Sequence, residues 1–368
     1  MKDIRKGLSQ LGVNPFTNNH CYVKLDLKEG AFKDVSAVAD FVNLQQVDLS
    51  CNMLADSAAI PRPLSSLSNL PVLLTLDVSN NELKEVLDYD VMKCDEEKNW
   101  AEGTNVIGSV LQSANFANNA IAQIRDLKDH QYLVNLDLSG NSIKQIRGMQ
   151  GLKMLQSLNL GGNRIERIEG LDNLPIVELL LDGNCIKEVE NLGSLNRLEK
   201  LNLNGNSVAS LRGLKDCGSL RELDLGGNSI SVIREVEWIC EIGRLAKLTL
   251  ADNECSSKEF YRLRVLSRIQ GLSVLDATGV APEEKVKAMN LYGGESSDLG
   301  NRTSNYGKYF DGEELINFLP PFVEQEADPM EEKKEDGGSL SESMNTRASG
   351  FYVSGVLDEA LKSATGKY

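Results

Sequence analysis

The chain has 368 residues, 41% of them hydrophobic, 25% charged and only 5% aromatic, the balance of a folded protein whose large core holds few rings. A formal net charge of −15 and a pI near 4.8 argue against a surface for nucleic-acid phosphates or anionic membranes and leave basic protein partners open. No stretch approaches the roughly 18 apolar residues of a bilayer span. The run from Met1 to Gly7 lacks the apolar core of a signal peptide, and seven scattered cysteines read as reduced thiols in a cytoplasmic setting.

Residues 1–22 are expected to form an N-terminal cap segment. Ile4, Leu8 and Leu11 fall at helical spacing and Gly12 could end that helix. Such a cap covers a sheet edge that would otherwise invite pairing. A docking peptide is the alternative.

From residue 23 to residue 255 one frame recurs. It is clearest at Leu133, Leu136, Leu138, Asn141 and Ile143, and it returns with its asparagine at Asn163, Asn184, Asn206 and Asn228, at intervals of 22, 21, 22 and 22. Earlier copies end at Asn52, Asn81 and Asn119, a later one at Asn253, and a degraded first copy has Gly30 in place of the asparagine. Two leucines at alternate positions put both side chains on one side of a short strand. The asparagine sits where the chain leaves the strand, and its amide can bond backbone groups that a turn leaves unpaired. One copy cannot bury its apolar face alone, but stacked copies can. The spacing from Asn81 to Asn119 is 38, so an insertion near 84–108 interrupts the series. It carries Tyr89 and Trp100, candidate anchors for a partner because interface hot spots favour large aromatic residues; a tolerated surface loop is the alternative. Cys94 lies beside Asp95 and Glu96, which would raise its pKa and not activate it.

This frame at this period is the signature of a leucine-rich repeat solenoid. The expected fold is an α/β horseshoe of about ten repeats. It has a parallel sheet on the concave side, short 3₁₀ or helical turns on the convex side, and a helical C-terminal cap. Glycine recurs in the return segments at Gly148, Gly170 and Gly213, with Asn191 once in its place, as a left-handed backbone would require.

Residues 256–292 read as that cap. Ser256 or Ser257 is a plausible N-cap, Glu259 belongs early in the first turn, and Pro282, Glu283 and Glu284 suit the start of a second helix. Tyr261, Arg262, Leu275, Asp276 and Glu284 together resemble the C-terminal cap of intracellular leucine-rich repeat proteins. Residues 119–292 resemble most the repeat region of leucine-rich repeat and guanylate kinase domain proteins, carried by Leu174, Pro175, Ile176, Ile233, Glu235, Val236, Lys285 and Val286. That resemblance implies a place in the axoneme of a cilium or flagellum. The kinase part is absent, because no GxxxxGK phosphate loop occurs. The wider subclass also contains a regulator of type-1 protein phosphatase and a spliceosomal protein, so those two roles stand as alternatives.

Residues 293–368 change composition, with 15 acids against 7 bases. They are expected to be an acidic, extended tail without a core of its own. Tyr309, Phe310, Phe318 and Phe322, within 309–322, form its apolar motif and a candidate partner contact.

No catalytic or metal constellation emerges. His20 and His130 are isolated, and no DxDxDG calcium loop occurs. The expected function is a non-enzymatic, protein-binding scaffold without cofactor, direct nucleic-acid or membrane contact. The binding surface should be the concave face, where the residue between the last two leucines points outward. That position reads Asp26, Asp48, Asp77, Asn115, Asp137, Asn159, Leu180, Asn202, Asp224 and Thr249. It predicts an acidic and amide-rich column for a basic partner, with Leu180 as an apolar anchor between Glu178 and Asp182. Small residues before the ladder asparagine leave room for a partner to lie close. A simple solvating ladder is the alternative.

Overall fold

The computed structural model describes residues 4–14, 17–89, 110–258 and 260–292, with side chains through residue 289. The chain divides into two compact units, residues 1–285 and 286–368, and the first holds every repeat. Trp100, Tyr309, Phe310, Phe318, Phe322 and the tail lie outside the described residues.

The repeats form a parallel-stranded solenoid. Its strands are β1 (Leu8–Val13), β2 (His20–Asp26), β3 (Gln46–Asp48), β4 (Thr75–Asp77), β5 (Ser113–Asn115), β6 (Asn135–Asp137), β7 (Ser157–Asn159), β8 (Glu178–Leu180), β9 (Lys200–Asn202), β10 (Glu222–Asp224), β11 (Lys247–Thr249), β12 (Val274–Leu275) and β13 (Thr278–Gly279). They pair in chain order in one sheet. From β2 to β12 every pairing is parallel. Each repeat sends its middle strand residue inward; Leu136, Leu158, Leu179 and Leu201 are all buried. The return segments are turns and short 3₁₀ pieces such as Ser36–Asp40, Ser65–Asn69 and Ile233–Ile239, because so short a repeat has no room for a helix.

The ladder asparagines hold successive turns together. Asn163 is 6% exposed. Its Nδ2 donates to the carbonyls of Leu138 at 2.9 Å and Leu160 at 2.9 Å, and its Oδ1 accepts the Ile143 amide at 3.0 Å. The same three bonds recur around Asn52, Asn81, Asn141, Asn184 and Asn206. Gly140, Gly162, Gly183, Gly205 and Gly227 stand just before a ladder asparagine with φ between +61° and +67°. Cys51, Asn80, Asn118 and Asp252 adopt the same left-handed conformation in other repeats. Backbone sterics therefore account for the small residues at this position, which the sequence reading attributed to room for a partner.

In the return segments Gly148, Gly170 and Asn191 also have positive φ. Gly213 does not; a Cβ there would sit 1.6 Å from the Val189 carbonyl oxygen, so closeness excludes a side chain. Where the last regular repeat has Glu235, the side chain is buried, and its carboxylate accepts from the Leu211 amide at 2.8 Å and the Ser210 hydroxyl at 2.9 Å.

Both ends differ from expectation. Among the described residues of the N-terminal segment, helix is limited to Ile4–Gly7, a single 3₁₀ turn; Leu8 and Leu11 belong to β1, which pairs antiparallel with β2. A strand satisfies the open edge of β2 bond by bond, which a short helix would leave unpaired. At the C-terminus Glu254–Ser257 is a 3₁₀ turn, and Ser256 Oγ donates to Asn253 O at 2.7 Å in place of capping a helix. Helix α1 (Tyr261–Arg268) starts after Phe260, which has φ +56°. Helix α2 (Pro282–Tyr292) begins at its proline with Glu283 and Glu284 in the first turn.

The cap is joined by two partly buried polar links. Tyr261 donates to Asp276 Oδ2 at 2.8 Å, and Asp276 Oδ1 accepts the Leu250 amide at 2.7 Å. Arg262 donates to both Glu284 oxygens and to the carbonyls of Leu275 and Gly279. Arg262→Ala should cost about 2 kcal/mol, since charge-assisted bonds outweigh neutral ones and two carbonyls lose their donor. Equilibrium urea unfolding of the full chain measures this; an unchanged midpoint would contradict it.

Candidate protein-binding surface

The outward-facing residues of the sheet form two columns in register. The first is the expected one: Asp26 pairs with Asp48, Asp48 with Asp77, Asp77 with Asn115, and so on through Asp137, Asn159, Leu180, Asn202 and Asp224 to Thr249. Its side chains do local work as well. Asp48, Asp77 and Asp137 each accept at Oδ1 from the amide and hydroxyl of the serine two residues on, at 2.6–2.9 Å. Asn115 Nδ2 donates to Asp77 Oδ2 and Asn159 Nδ2 to Asp137 Oδ2, each at 3.0 Å. Each of these amides thus offsets the charge of the carboxylate on the preceding strand, whereas Asp26, Asp48 and Asp77 stand on adjacent strands with no amide between them. Downstream, Asn202 donates to Asp182 at 3.2 Å, and Asp224 accepts from Asn204 at 3.3 Å and from the Gly226 amide at 3.0 Å. Leu180 is half-buried between Asn159 and Asn202.

The second column, two residues before the first in each strand, was missed in the sequence. It carries bases: Glu178 pairs in register with Lys200, then Glu222 and Lys247. Lys200 Nζ lies 2.6 Å from Glu178 Oε1 and Lys247 Nζ 2.5 Å from Glu222 Oε1. The Glu178 bond raises the Lys200 pKa above the usual lysine value. Exposed pairs of this kind add only about 0–1 kcal/mol, but they neutralise the face over β8–β11. Glu178 is therefore already matched within the chain, and the acid excess is concentrated toward β2–β6. Reading each strand at both outward positions would have revealed this alternation.

Tyr89 is half-buried at the root of the insertion, its ring edge-on to His130 with centroids 5.6 Å apart. Arg125 pairs with Glu85 and Asp88, and Arg62 lies 3.2 Å from Asp88. A cleft of about 180 Å³ opens among these groups. Among the described residues no group of three or more His, Cys, Asp or Glu could hold a metal ion, and no helix is long and apolar enough to cross a membrane.

A family model described as Leucine-rich repeat matches residues 176–302. Leucine-rich repeat-containing protein 23 of Bos taurus is 31% identical over 292 residues, covering 77% of each chain. U2 small nuclear ribonucleoprotein A' of Schizosaccharomyces pombe is 29% identical over 75 residues, 20% of this chain and 31% of that one. Among solved structures, the leucine-rich repeat domain of APL1B overlays with a TM-score of 0.49 at 18% identity, covering 68% of this chain and 67% of that one.

Proposed function

Because the chain belongs to the leucine-rich repeat proteins, in the family of leucine-rich repeat-containing protein 23, we propose that it is a protein-binding scaffold that works through the open face of its sheet and carries out no catalysis. The observation that carries this reading is the in-register column from Asp26 to Thr249, an ordered row of polar groups broken only by Leu180. A basic, extended partner would meet carboxylates over β2–β6 and a half-buried leucine at β8. Charge of this kind speeds encounter and sets register, while apolar contact slows release.

The finer reading is a structural component of a ciliary or flagellar axoneme. It is supported by the resemblance of residues 119–292 to the repeat region of leucine-rich repeat and guanylate kinase domain proteins. A nucleoprotein role acting through protein contacts is the second reading, favoured by the short match to a U2 ribonucleoprotein subunit. Expression of the tagged chain in a ciliated cell separates them: axonemal signal that survives detergent extraction supports the first, nuclear signal the second.

The interface is tested by quantitative pull-down from isolated axonemes. Leu180→Glu should reduce partner recovery by about tenfold or more, since losing one well-packed leucine contact is worth roughly 1.5–3 kcal/mol. The pair Asp48→Asn and Asp224→Asn keeps the oxygens that accept the turn amides and removes two charges, so it should slow association mainly at low salt. Full recovery with both variants would rule out the open face.

A further inference from the structure

We propose that a second docking surface runs along one rim of the solenoid, and that it takes an amphipathic helix of a partner protein whose apolar face continues into carboxylates. The position just before the first leucine of the frame is apolar in five successive repeats: Val72, Val110, Tyr132, Met154 and Pro175. The residue that comes after each of them is buried: Leu73, Leu111, Leu133, Leu155 and Ile176. The row itself is not. Val72 is 37%, Tyr132 38% and Met154 47% exposed, and Val110 and Pro175 are partly so. Isolated exposed apolar side chains need no explanation, but a contiguous run across consecutive repeats marks an interaction site.

The spacing of the row selects the occupant. Immediately beside it, the Gln112 amide bonds Leu74 O, Val134 bonds Gln112 O, Gln156 bonds Val134 O and Val177 bonds Gln156 O, at 2.8–2.9 Å. Successive repeats are thus one strand spacing apart, about 4.8 Å. Side chains three or four residues apart on a helix are separated by about 4.5–6 Å along its axis. A helix laid along the row would therefore set one apolar side chain on each repeat.

Charge fixes the other half. In the next repeats the same position becomes Arg197, then Ser219, then Arg244. Both arginines are exposed and neither is bonded to a described residue. In a chain of net charge −15, two unmatched cations continuing an apolar row call for acids on the partner. This surface is separate from the face assigned under Proposed function, so either assignment can fail alone.

The probe is a synthetic helical peptide of about 24 residues, long enough to span from Val72 to Arg244. It has leucines at i, i+4, i+7, i+11 and i+14 and glutamates on the same face of the remaining turns. Fluorescence anisotropy should show saturable binding to the full chain. Tyr132→Glu with Met154→Glu should weaken it by about tenfold or more, and Arg197→Glu with Arg244→Glu should weaken it and flatten its salt dependence. Leu180→Glu should leave it unchanged. All these positions are partly or fully exposed, so thermal melts should match wild type; the arginine pair gives an independent reading should the apolar pair unfold. No saturable binding, or binding by both double variants as tight as that of wild type, overturns the proposal. Self-association abolished by Met154→Glu in sedimentation would give the row to a second copy and overturn it too.

Discussion

Replacing Asn163 by alanine is expected to destabilise the chain by about 2–4 kcal/mol, since a buried donor left without its partner costs about 1–3 kcal/mol and a cavity adds to it. The bonds themselves say where the cost falls. The Ile143 amide loses its acceptor outright, because Asn163 Oδ1 is the group it reaches, at 3.0 Å. The carbonyls fare better, because each is shared. Leu138 O keeps its bond from Asn141, and Leu160 O keeps its bond from Asn184. The double variant Asn163→Ala, Asn184→Ala then strips Leu160 O of both amides and should cost more than the sum of the singles. Asn196→Ala, at an exposed position, should stay within about 0.5 kcal/mol of wild type. Urea unfolding of wild type, the singles Asn163→Ala and Asn184→Ala, their double and Asn196→Ala tests this, and a loss under about 1 kcal/mol for Asn163→Ala would mean that water replaces the side chain.

The asparagine ladder also explains what was legible in the sequence. A side chain that must bond two neighbouring turns cannot drift in phase, so its period fixes the repeat, and the leucines fix which way each strand faces. The open face was legible for the same reason, down to the register of its acidic column. What surrounds that column was not. The bonds from Asn159 to Asp137 and from Asn115 to Asp77 join residues 22 and 38 apart in the chain. The Glu178–Lys200 pair needs two repeats to be superposed before its charges meet.

The ends were harder still. Ile4, Leu8 and Leu11 fit a helical face, yet Leu11 is 68% exposed and lies opposite Tyr22 in an antiparallel pair. Local periodicity lost to the hydrogen bonds offered by an open strand edge. In the cap, the resemblance singled out Tyr261, Arg262, Asp276 and Glu284. Nothing in their spacing foretells that one arginine gathers a carboxylate and two carbonyls, because those partners lie 13–22 residues away.

His130 was read as an isolated residue, and the frame contained the signal to do better. Counting back three from the first leucine of a repeat gives Leu70, Leu152, Leu195, Cys217 and Ile242, all buried core residues whose carbonyl accepts the amide of that leucine. In the repeat that begins at Leu133 the same count gives His130, which is 4% exposed and whose carbonyl accepts the Leu133 amide at 3.0 Å. An imidazole thus fills a slot that holds apolar side chains in those repeats, with its Nδ1 buried and unpartnered. Burial lowers its pKa from 6.5 to about 4, against a smaller opposing pull from Asp129. Between these values the unfolded chain binds a proton that the folded chain refuses, so acid favours unfolding. Stability should therefore fall as pH drops from about 6.5 to about 4, by up to about 3 kcal/mol from this one group, and the contribution should be flat on either side of that window. The many carboxylates of the chain titrate nearby, so the comparison must be with His130→Leu, which places there the residue found at Leu70, Leu152 and Leu195. Urea midpoints of the two proteins should lie close together at pH 7.5 and diverge toward pH 4.5, with His130→Leu the more stable. Parallel curves across that range would mean that the histidine meets solvent or a carboxylate on protonation, and that the root of the insertion opens with it.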